Sequence, residues 1–473
     1  MSTMQKQVFS RRNFFSCMMY TIRTQMLFID METSMLKITK FGGSSVANAT
    51  QFKKVKNIVE SDPARQYVVV SAPGRRTASD NKITDLLYLL DAHRHYHVDA
   101  SNVTKIIRER FLSIKEELGL QINMEKELDE FFANLSKMTQ AEIVSRGEYF
   151  CAKMMAEYLG YAFVDAADVI RFKMDKSIDW EATTAKVKAK CAKYDHFVFP
   201  GFYGTDANGH IQTFPRGGGD ITGAVLARCI DADIYENWTD VSGFLMADPR
   251  IVKNPEPITH ITYSELRELS YMGASVLHED AIFPAKEKNI PIHILNTNRP
   301  QDKGTIIQEN IDQPSEYPIT GIAGKTGFTS ILVYKKHMSN EVGYIRKVLS
   351  ILEEYHISIE HIPSSIDSFS IVVADKDVED ILYEMVARIK SELKPDRVRA
   401  KSGLALISTV GRNMSSKPGT SGRLFGALGT NHINISMIAQ GSDEMNITVG
   451  VKEEDFQKTI RVIYDTFVTK KGE

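Results

Sequence analysis

The chain has 473 residues, with 58 Lys and Arg against 60 Asp and Glu, for a net charge of −2. That balance offers no basic surface to a nucleic-acid backbone or an acidic membrane, so neither is expected as a partner. With 43% apolar and 25% charged residues it reads as a globular protein of two or three domains, and its four scattered cysteines, with no C-x-x-C pair, exclude a disulfide framework or structural zinc site and fit a reducing cytosol.

The first 34 residues contain "FSRRNFFSCMMYTIRTQMLFID", basic and without an acid before Asp30. The stretch is too short and too interrupted for a membrane span, and it has no A-x-A-like cleavage site. It reads as an upstream start or a disordered arm, with folded protein expected from Met35.

From Met35 to about Asn310 strand and helix signals alternate. "MLKITKF" and "QYVVVSAP" are short apolar runs suited to strands buried on both faces, and between them Phe52, Val55, Ile58 and Val59 recur at helical spacing. The first strand runs into "FGGSSVANA", where Gly42 and Gly43 allow a nest of backbone N–H groups and Lys40 adds a full charge. This is a place for an anion, although the spacing is neither the Walker pattern nor G-x-G-x-x-G. His93, His95 and His97 alternate in "DAHRHYH", so on a helix only His93 and His97 share a face, and a solvated surface is expected rather than a metal site. "SRGEYF" falls in a helical stretch, which by itself makes Glu148 a solvated helix residue.

"KYDHFVFPGFYG", "ADIYENWTD" and "IPIHILNT" repeat the strand signature, so a layered α/β domain with a largely parallel sheet is predicted. Between two of these strands lies "TFPRGGGDITGAVLAR", with a helix expected from near Ile221. Arg216 is suited to clamp a carboxylate, and Asp220 to cap the helix or to orient a lysine or metal. "NWTDVSGFLMADPR" gathers Thr239, Asp240, Asp248 and Arg250 after a strand end, where ligands of such sheets sit. No G-x-S-x-G elbow is present, and nothing points to nucleophilic catalysis by the protein.

Beyond Pro318 the chain repeats itself. A shift of 76 residues without a gap pairs Met338 with Met414, Gly343 with Gly419, His356 with His432, Asp367 with Asp443 and Ile371 with Ile447. Each copy reads strand, glycine loop, amphipathic helix, strand ("HISIEHI", "HINISMI"), strand and helix. Two copies suggest paired regulatory modules rather than a solenoid.

These blocks, in order, resemble the aspartate kinases of the amino-acid kinase fold: "KFGGSS", "VVVSAPGRRT" with "NKITDLL", "SRGE", "PGFYG", "RGGGD", "WTDVSGF…ADPR" and "GASVLHEDAIFPA", followed by a doublet resembling ACT domains. The resemblance implies a three-layer α/β/α kinase domain over 35–312 and two βαββαβ ACT-like domains over 318–397 and 398–473. It implies transfer of the γ-phosphoryl group of ATP, with Mg²⁺, to the β-carboxylate of L-aspartate, the first step towards lysine, threonine and methionine. Lys40 and Asp220 match catalytic positions; Lys40, Phe41, Gly42, Gly43, Thr239, Asp240, Arg250, Ser275 and Val276 match nucleotide positions; Thr84, Glu148, Arg216 and Gly219 match aspartate positions. Magnesium is expected to be held mainly by ATP.

Two departures stand out. Ser275 replaces a lysine that usually approaches the nucleotide, with Lys82, Lys286 or Lys288 as spatial substitutes, and Leu245 stands where an aromatic is common. The effector positions are Met338, Glu341, Tyr344, Ile345, Ser358, Ile359, Glu360, Ser364 and Ser365. Glu341 and Glu360 suit the second ammonium of lysine, with threonine the runner-up effector. A homodimer or dimer of dimers through the ACT-like domains is expected. The competing readings are another amino-acid kinase and a silent amino-acid sensor carrying a relic kinase domain.

Overall fold

The computed structural model describes residues 35–469, apart from 216, 275, 276, 278, 312–315 and 442; the arm over 1–34 lies outside the described residues. The first sheet has eight strands: β1 (Lys37–Phe41), β2 (Tyr67–Val70), β3 (Ala162–Phe163), β4 (Phe197–Pro200), β5 (Ile234–Thr239), β6 (His260–Thr262), β7 (Ile292–Asn296) and β8 (Thr305–Gln308), in the order β6-β8-β7-β5-β1-β2-β4-β3. Every neighbouring pair is parallel except β7 with β8.

The strand sequences explain this arrangement. Along β2, Val68 and Val70 enter one hydrophobic core while Tyr67 and Val69 enter another, and all four are buried. Both faces are therefore covered, as helical crossovers between parallel strands require. On one face pack α1 (Ala49–Glu60), α2 (Ile83–His95), α3 (Ser101–Leu118) and α4 (Gln140–Leu159). On the other packs α5 (Gly218–Cys229), joined by α6 (Tyr263–Tyr271).

The second sheet contains β9 (Gly321–Tyr334), β10 (Ser368–Ala374), β11 (Arg397–Val410), β12 (Met437–Ala439) and β13 (Asn446–Lys452), all antiparallel, in the order β10-β9-β11-β13-β12. Its two long strands change the domain division read from the sequence. Gly321–Lys325 pairs with Leu406–Val410, and Ile322 and Ala323 join the core that also takes Ile407 and Val449. Beyond an irregularity between Lys325 and Phe328, the strand pairs with β10 and with the first half of β11, and Ile331 and Val333 enter a separate core with Tyr344 and Val348. The first ACT-like unit is thus set into the second, and a cut at 397/398 falls at the start of a strand shared by both. The repeat in sequence locates the helices and inner strands, but a strand of 14 residues is long enough to serve two cores.

One expected strand is not formed: "HISIEHI" makes only a bridge from His361 to Val372, with the Glu360 N–H donating to the Val372 carbonyl at 2.9 Å, and of its counterpart "HINISMI" only Met437 and Ile438 enter β12. α6 is fixed to the second unit by Glu265. Its fully buried carboxylate accepts the Thr320 hydroxyl at 2.5 Å, the Arg412 backbone N–H at 2.8 Å and the Arg412 guanidinium at 3.0 Å. Burial pushes this acid up, and those donors outweigh it, leaving it below the usual carboxylate range.

Candidate active site

β1 ends at Phe41, and the chain turns at once through Gly42 and Gly43. The turn is pinned by Gly42 N–H donating to the Trp238 carbonyl at 2.9 Å. After β2 the segment Ser71–Gly74 turns against it, with Gly74 N–H donating to the Gly43 carbonyl at 2.8 Å. A Cβ on Gly74 would lie 2.6 Å from the Gly43 carbonyl carbon, so this contact needs glycine. The two loops floor a cleft of about 1040 Å³ at the carboxyl ends of the strands.

Lys40 is 6% exposed, and its ammonium lies 2.6 Å from Asp220 Oδ1 and 3.5 Å from Asn237 Oδ1. Asn237, facing Lys40 across β1 and β5, donates its amide to Asp220 at 2.9 Å. Asp220 is therefore not the cap of α5. The helix begins at Gly218, three residues earlier than expected, Gly217 (φ 81°) holds the cap position, and Asp220 sits in the first turn aimed at Lys40. Gly219 lets the helix approach: a Cβ there would stand 2.8 Å from Ser71 Oγ and 3.4 Å from Lys40 Cε.

Glu148 reaches the same cleft because α4 packs tightly on the end of β2; a Cβ on neighbouring Gly147 would be 2.8 Å from Ala72 Cβ. The sequence alone makes Glu148 a solvated residue, and the structure corrects this: it is 6% exposed, and its Oε2 has no hydrogen-bond partner among the described residues. Burial raises its pKa to about 8, opposed by the backbone N–H of Ala72. A buried acid without a counter-cation is costly unless neutral or paired with a ligand's cation.

Nine of the anticipated residues line this one cleft: Lys40, Gly42, Gly43, Thr84, Glu148, Gly219, Asp220, Thr239 and Asp240. Phe41 does not; it is fully buried and stacked on Trp238, so only its backbone belongs to the loop. Arg250 also stands apart, its side chain 87% exposed and paired with Asp248 at 2.6 Å, beside a shallow pocket that includes Leu245. Arg216, Ser275 and Val276 lie outside the described residues. Of the substitutes for the missing lysine, Lys82 lines the cleft, whereas Lys288 pairs with Asp231 and Lys286 lies over the Tyr263 ring. Sequence reasoning missed Ser71, Gly74, Arg75 and Asn237. A polar Asn inside a buried strand is the one signal that marks the last.

The effector positions do not gather at one point in the single chain. Met338 and Tyr344 are buried in the first ACT-like core, and the Tyr344 hydroxyl has no partner among the described residues. Glu341 is already held by Lys335 and Lys347, which keep its carboxyl below the usual range. It is thus not an open acid awaiting an ammonium. Glu360 faces a different pocket, of about 460 Å³, with Tyr271 and Glu268 of α6. Ile345 and Ile359 pack at the edge of the first core, and Ser358, Ser364 and Ser365 are exposed. Of the alternating histidines, His93 bonds the Asp99 carbonyl at 2.8 Å while His95 and His97 are exposed.

The sequence model of the amino acid kinase family matches residues 35–296, and that of the ACT domain residues 407–467. Aspartokinase 3 of Bacillus subtilis is 38% identical over 448 residues, 91% of this chain and 98% of its own length. The chain belongs to the aspartate kinases. Among solved structures, the aspartate kinase of Clostridium acetobutylicum superposes with a TM-score of 0.86 at 45% identity, covering 92% of this chain and all (100%) of that one. Aspartokinase III of Escherichia coli, in complex with lysine and aspartate, gives a TM-score of 0.71 at 25% identity, covering 92% and 99%. The kinase fold, the ACT-like regulatory part and the enzymatic class expected from the sequence all stand for this aspartate kinase. Among the described residues no helix is long and apolar enough to cross a membrane.

Proposed function

We propose that the protein transfers the γ-phosphoryl group of ATP to the β-carboxylate of L-aspartate, giving 4-phospho-L-aspartate and ADP, at the head of lysine, threonine and methionine synthesis. The observation that carries this reading is the cleft itself: a buried acid without a counter-charge among the described residues, Glu148, shares it with the Lys40–Asp220 pair and the two touching glycine loops. Glu148 takes the α-ammonium, and Arg216, by its matching position, takes the α-carboxylate.

The β-carboxylate, ordinarily ionised at neutral pH, needs no base. One of its oxygens attacks Pγ as the bond from Pγ to the departing ADP oxygen breaks. Both reactants are anions, so catalysis consists of alignment and charge compensation. Lys40, fixed by Asp220 and Asn237, supplies a cation that needs no reorganisation at the moment of transfer. Among the described residues no cluster of three His, Cys, Asp or Glu forms a cage for a metal. Magnesium would arrive on the nucleotide phosphates, with Asp240 on the cleft wall as one acid within the site that could meet it. Bound there, Mg²⁺ neutralises charge on the transferring group.

An assay of ADP release with ATP and aspartate, combined with hydroxylamine trapping of the acyl phosphate as a hydroxamate, tests the assignment. ATP turnover without hydroxamate, or hydroxamate from glutamate but not aspartate, refutes it and favours another amino-acid kinase. No turnover at all favours the silent sensor.

Feedback inhibition by lysine, with threonine second, belongs to the same proposal. It is supported by the lysine held by aspartokinase III of E. coli and by the Tyr344 hydroxyl here, which has no partner among the described residues. With Glu341 occupied by two lysines, Glu360 carries more of the expectation. A homodimer or dimer of dimers through the ACT-like units is supported by exposed Val342 and Ile366 and by the open sheet edges at β10 and β12. A reducing cytosol is supported by Cys151, Cys191 and Cys229, which are free cysteines among the described residues.

A further inference from the structure

The segment from Pro73 to Lys82, between β2 and α2, is built as a rigid strap along the cleft. Arg110 of α3, 1% exposed, reaches under it. One guanidinium nitrogen donates to the Gly74 carbonyl at 2.7 Å, and the other to Asp80 Oδ2 at 2.5 Å and the Asn81 carbonyl at 3.3 Å. Asp80 in turn receives the backbone N–H of Arg76 at 3.0 Å and its guanidinium at 2.9 Å. Ile83 N–H closes the segment onto the Pro73 carbonyl at 3.0 Å, and Gly74 ties it to the Gly43 carbonyl.

Four cations lie on or under this strap, and their partners sort them. Arg76 and Arg110 are consumed internally by Asp80. Arg75 and Lys82 line the cleft, and their side chains make no hydrogen bond or ion pair with the described residues. The third cation among the described lining residues, Lys40, is already balanced by Asp220. Set against Asp85 and Asp240 on the same walls, the described lining without Arg75 and Lys82 repels anions. Arg75 follows directly on the glycine that touches the Gly42–Gly43 nest, which places its cation on the phosphate side of the cleft.

We infer that Arg75 and Lys82 are nucleotide-binding residues that hold the terminal phosphates of the nucleotide, on a strap whose rigidity is set by the buried Arg110–Asp80 pair. This rests on the reading of the cleft as a nucleotide site and gives a role to two residues that are not among the nucleotide positions the resemblance implies. It also gives a chain with Ser275 in place of a lysine a source of cationic compensation, delivered by the strap.

The test is titration of MgADP into the wild-type protein and into R75M, K82M and the exposed control K376M, by calorimetry at two salt concentrations. A desolvated charge-assisted phosphate contact is worth about tenfold in affinity. R75M and K82M are each expected to weaken MgADP binding by about tenfold, with a shallower salt dependence, unchanged circular dichroism and less than about a threefold change in aspartate KM. K376M is expected to bind as wild type. MgADP affinity within twofold of wild type in both strap variants overturns the inference, as does a loss confined to aspartate KM or an equal loss in K376M. MgADP binding of the expected pattern without aspartate-dependent turnover overturns the aspartate reading and leaves the strap assignment standing. No MgADP binding by the wild type overturns both.

Discussion

Between pH 6 and 8, kcat/KM for aspartate is expected to climb steeply, because the site's anchor for the α-ammonium is a protonated acid over most of that range. Glu148 is 6% exposed with one oxygen unpartnered, and burial lifts its pKa from 4.5 to about 8. The sign follows directly. A carboxyl whose folded pKa is raised stays neutral up to that pKa, so the substrate cation meets a carboxylate only after the proton has left. With a pKa of about 8, roughly one molecule in a hundred is ionised at pH 6 and one in ten at pH 7. Apparent affinity scales with that competent fraction. Aspartate kcat/KM should therefore rise about tenfold from pH 6 to 7 and about fivefold from pH 7 to 8, levelling above about pH 8.5. ATP kcat/KM at saturating aspartate should vary far less. The assay is initial-rate ADP release at fixed ionic strength, run beside Glu148→Gln, which should flatten the profile and lower aspartate kcat/KM at pH 8 by about 10²-fold. A wild-type profile that changes less than about twofold between pH 6 and 8, or a Glu148→Gln profile as steep as wild type, refutes the reasoning.

Lys40→Ala should lower kcat by about 10²-fold or more with the fold retained, since one preorganised cation is removed; near-normal turnover would exclude its role. Gly74→Ala should raise ATP KM by about tenfold, because the new Cβ would sit 2.6 Å from Gly43 and force the two loops apart; an unchanged KM would show that the contact yields freely. Glu265→Gln leaves the Arg412 guanidinium without its counter-charge in a buried setting, so unfolding free energy should fall by about 3 kcal/mol in urea titrations of the part containing α6; a loss below about 1 kcal/mol would deny it a clamping role. In lysine titrations, Glu360→Gln should shift the inhibition midpoint more than Glu341→Gln, whose carboxylate already serves Lys335 and Lys347; equal midpoints in all three proteins would remove the assigned effector site.

The sheet was legible because its strands are buried on both faces, which writes an unbroken apolar run such as Tyr67–Val70. Lys40 and the glycine pair were legible for a local reason: a strand, a turn and a charge are adjacent in sequence. What was not legible depends on pairs far apart in the chain. Glu148 looked solvated because helical periodicity cannot show that Gly147 lets α4 settle onto Ala72. Asp220 was read both as a cap and as an acid that orients a lysine; the pair with Lys40 bears out the second, while the cap position falls to the left-handed Gly217, one of three successive glycines. Phe41 sat in the right motif but its side chain points to Trp238, as alternation along β1 requires. The two acids of the effector set were read as equivalent, although only the fold shows that Lys335 and Lys347 converge on one of them.

The passage of β9 and β11 through both regulatory cores has a consequence for how this part of the chain can be cut and joined. Gly327 (φ 84°) and Gly403 (φ 75°) lie on adjacent strands at the level where one core gives way to the other, with Phe328 opposite Leu404. A two-residue Asn-Gly turn joining the chain there would delete the whole first unit while leaving every strand of the second in place. A stop codon near residue 397, by contrast, removes Leu406–Val410, the pairing partner of Gly321–Lys325, and strips the strand that leads out of the kinase domain. By strand pairing alone, the inner module is joined as an insert though it lies mid-chain, and the outer one pairs with the strand that enters this sheet though it lies at the end. Grafting a foreign ligand-binding module between those two glycines is a route to a kinase answering to a new effector.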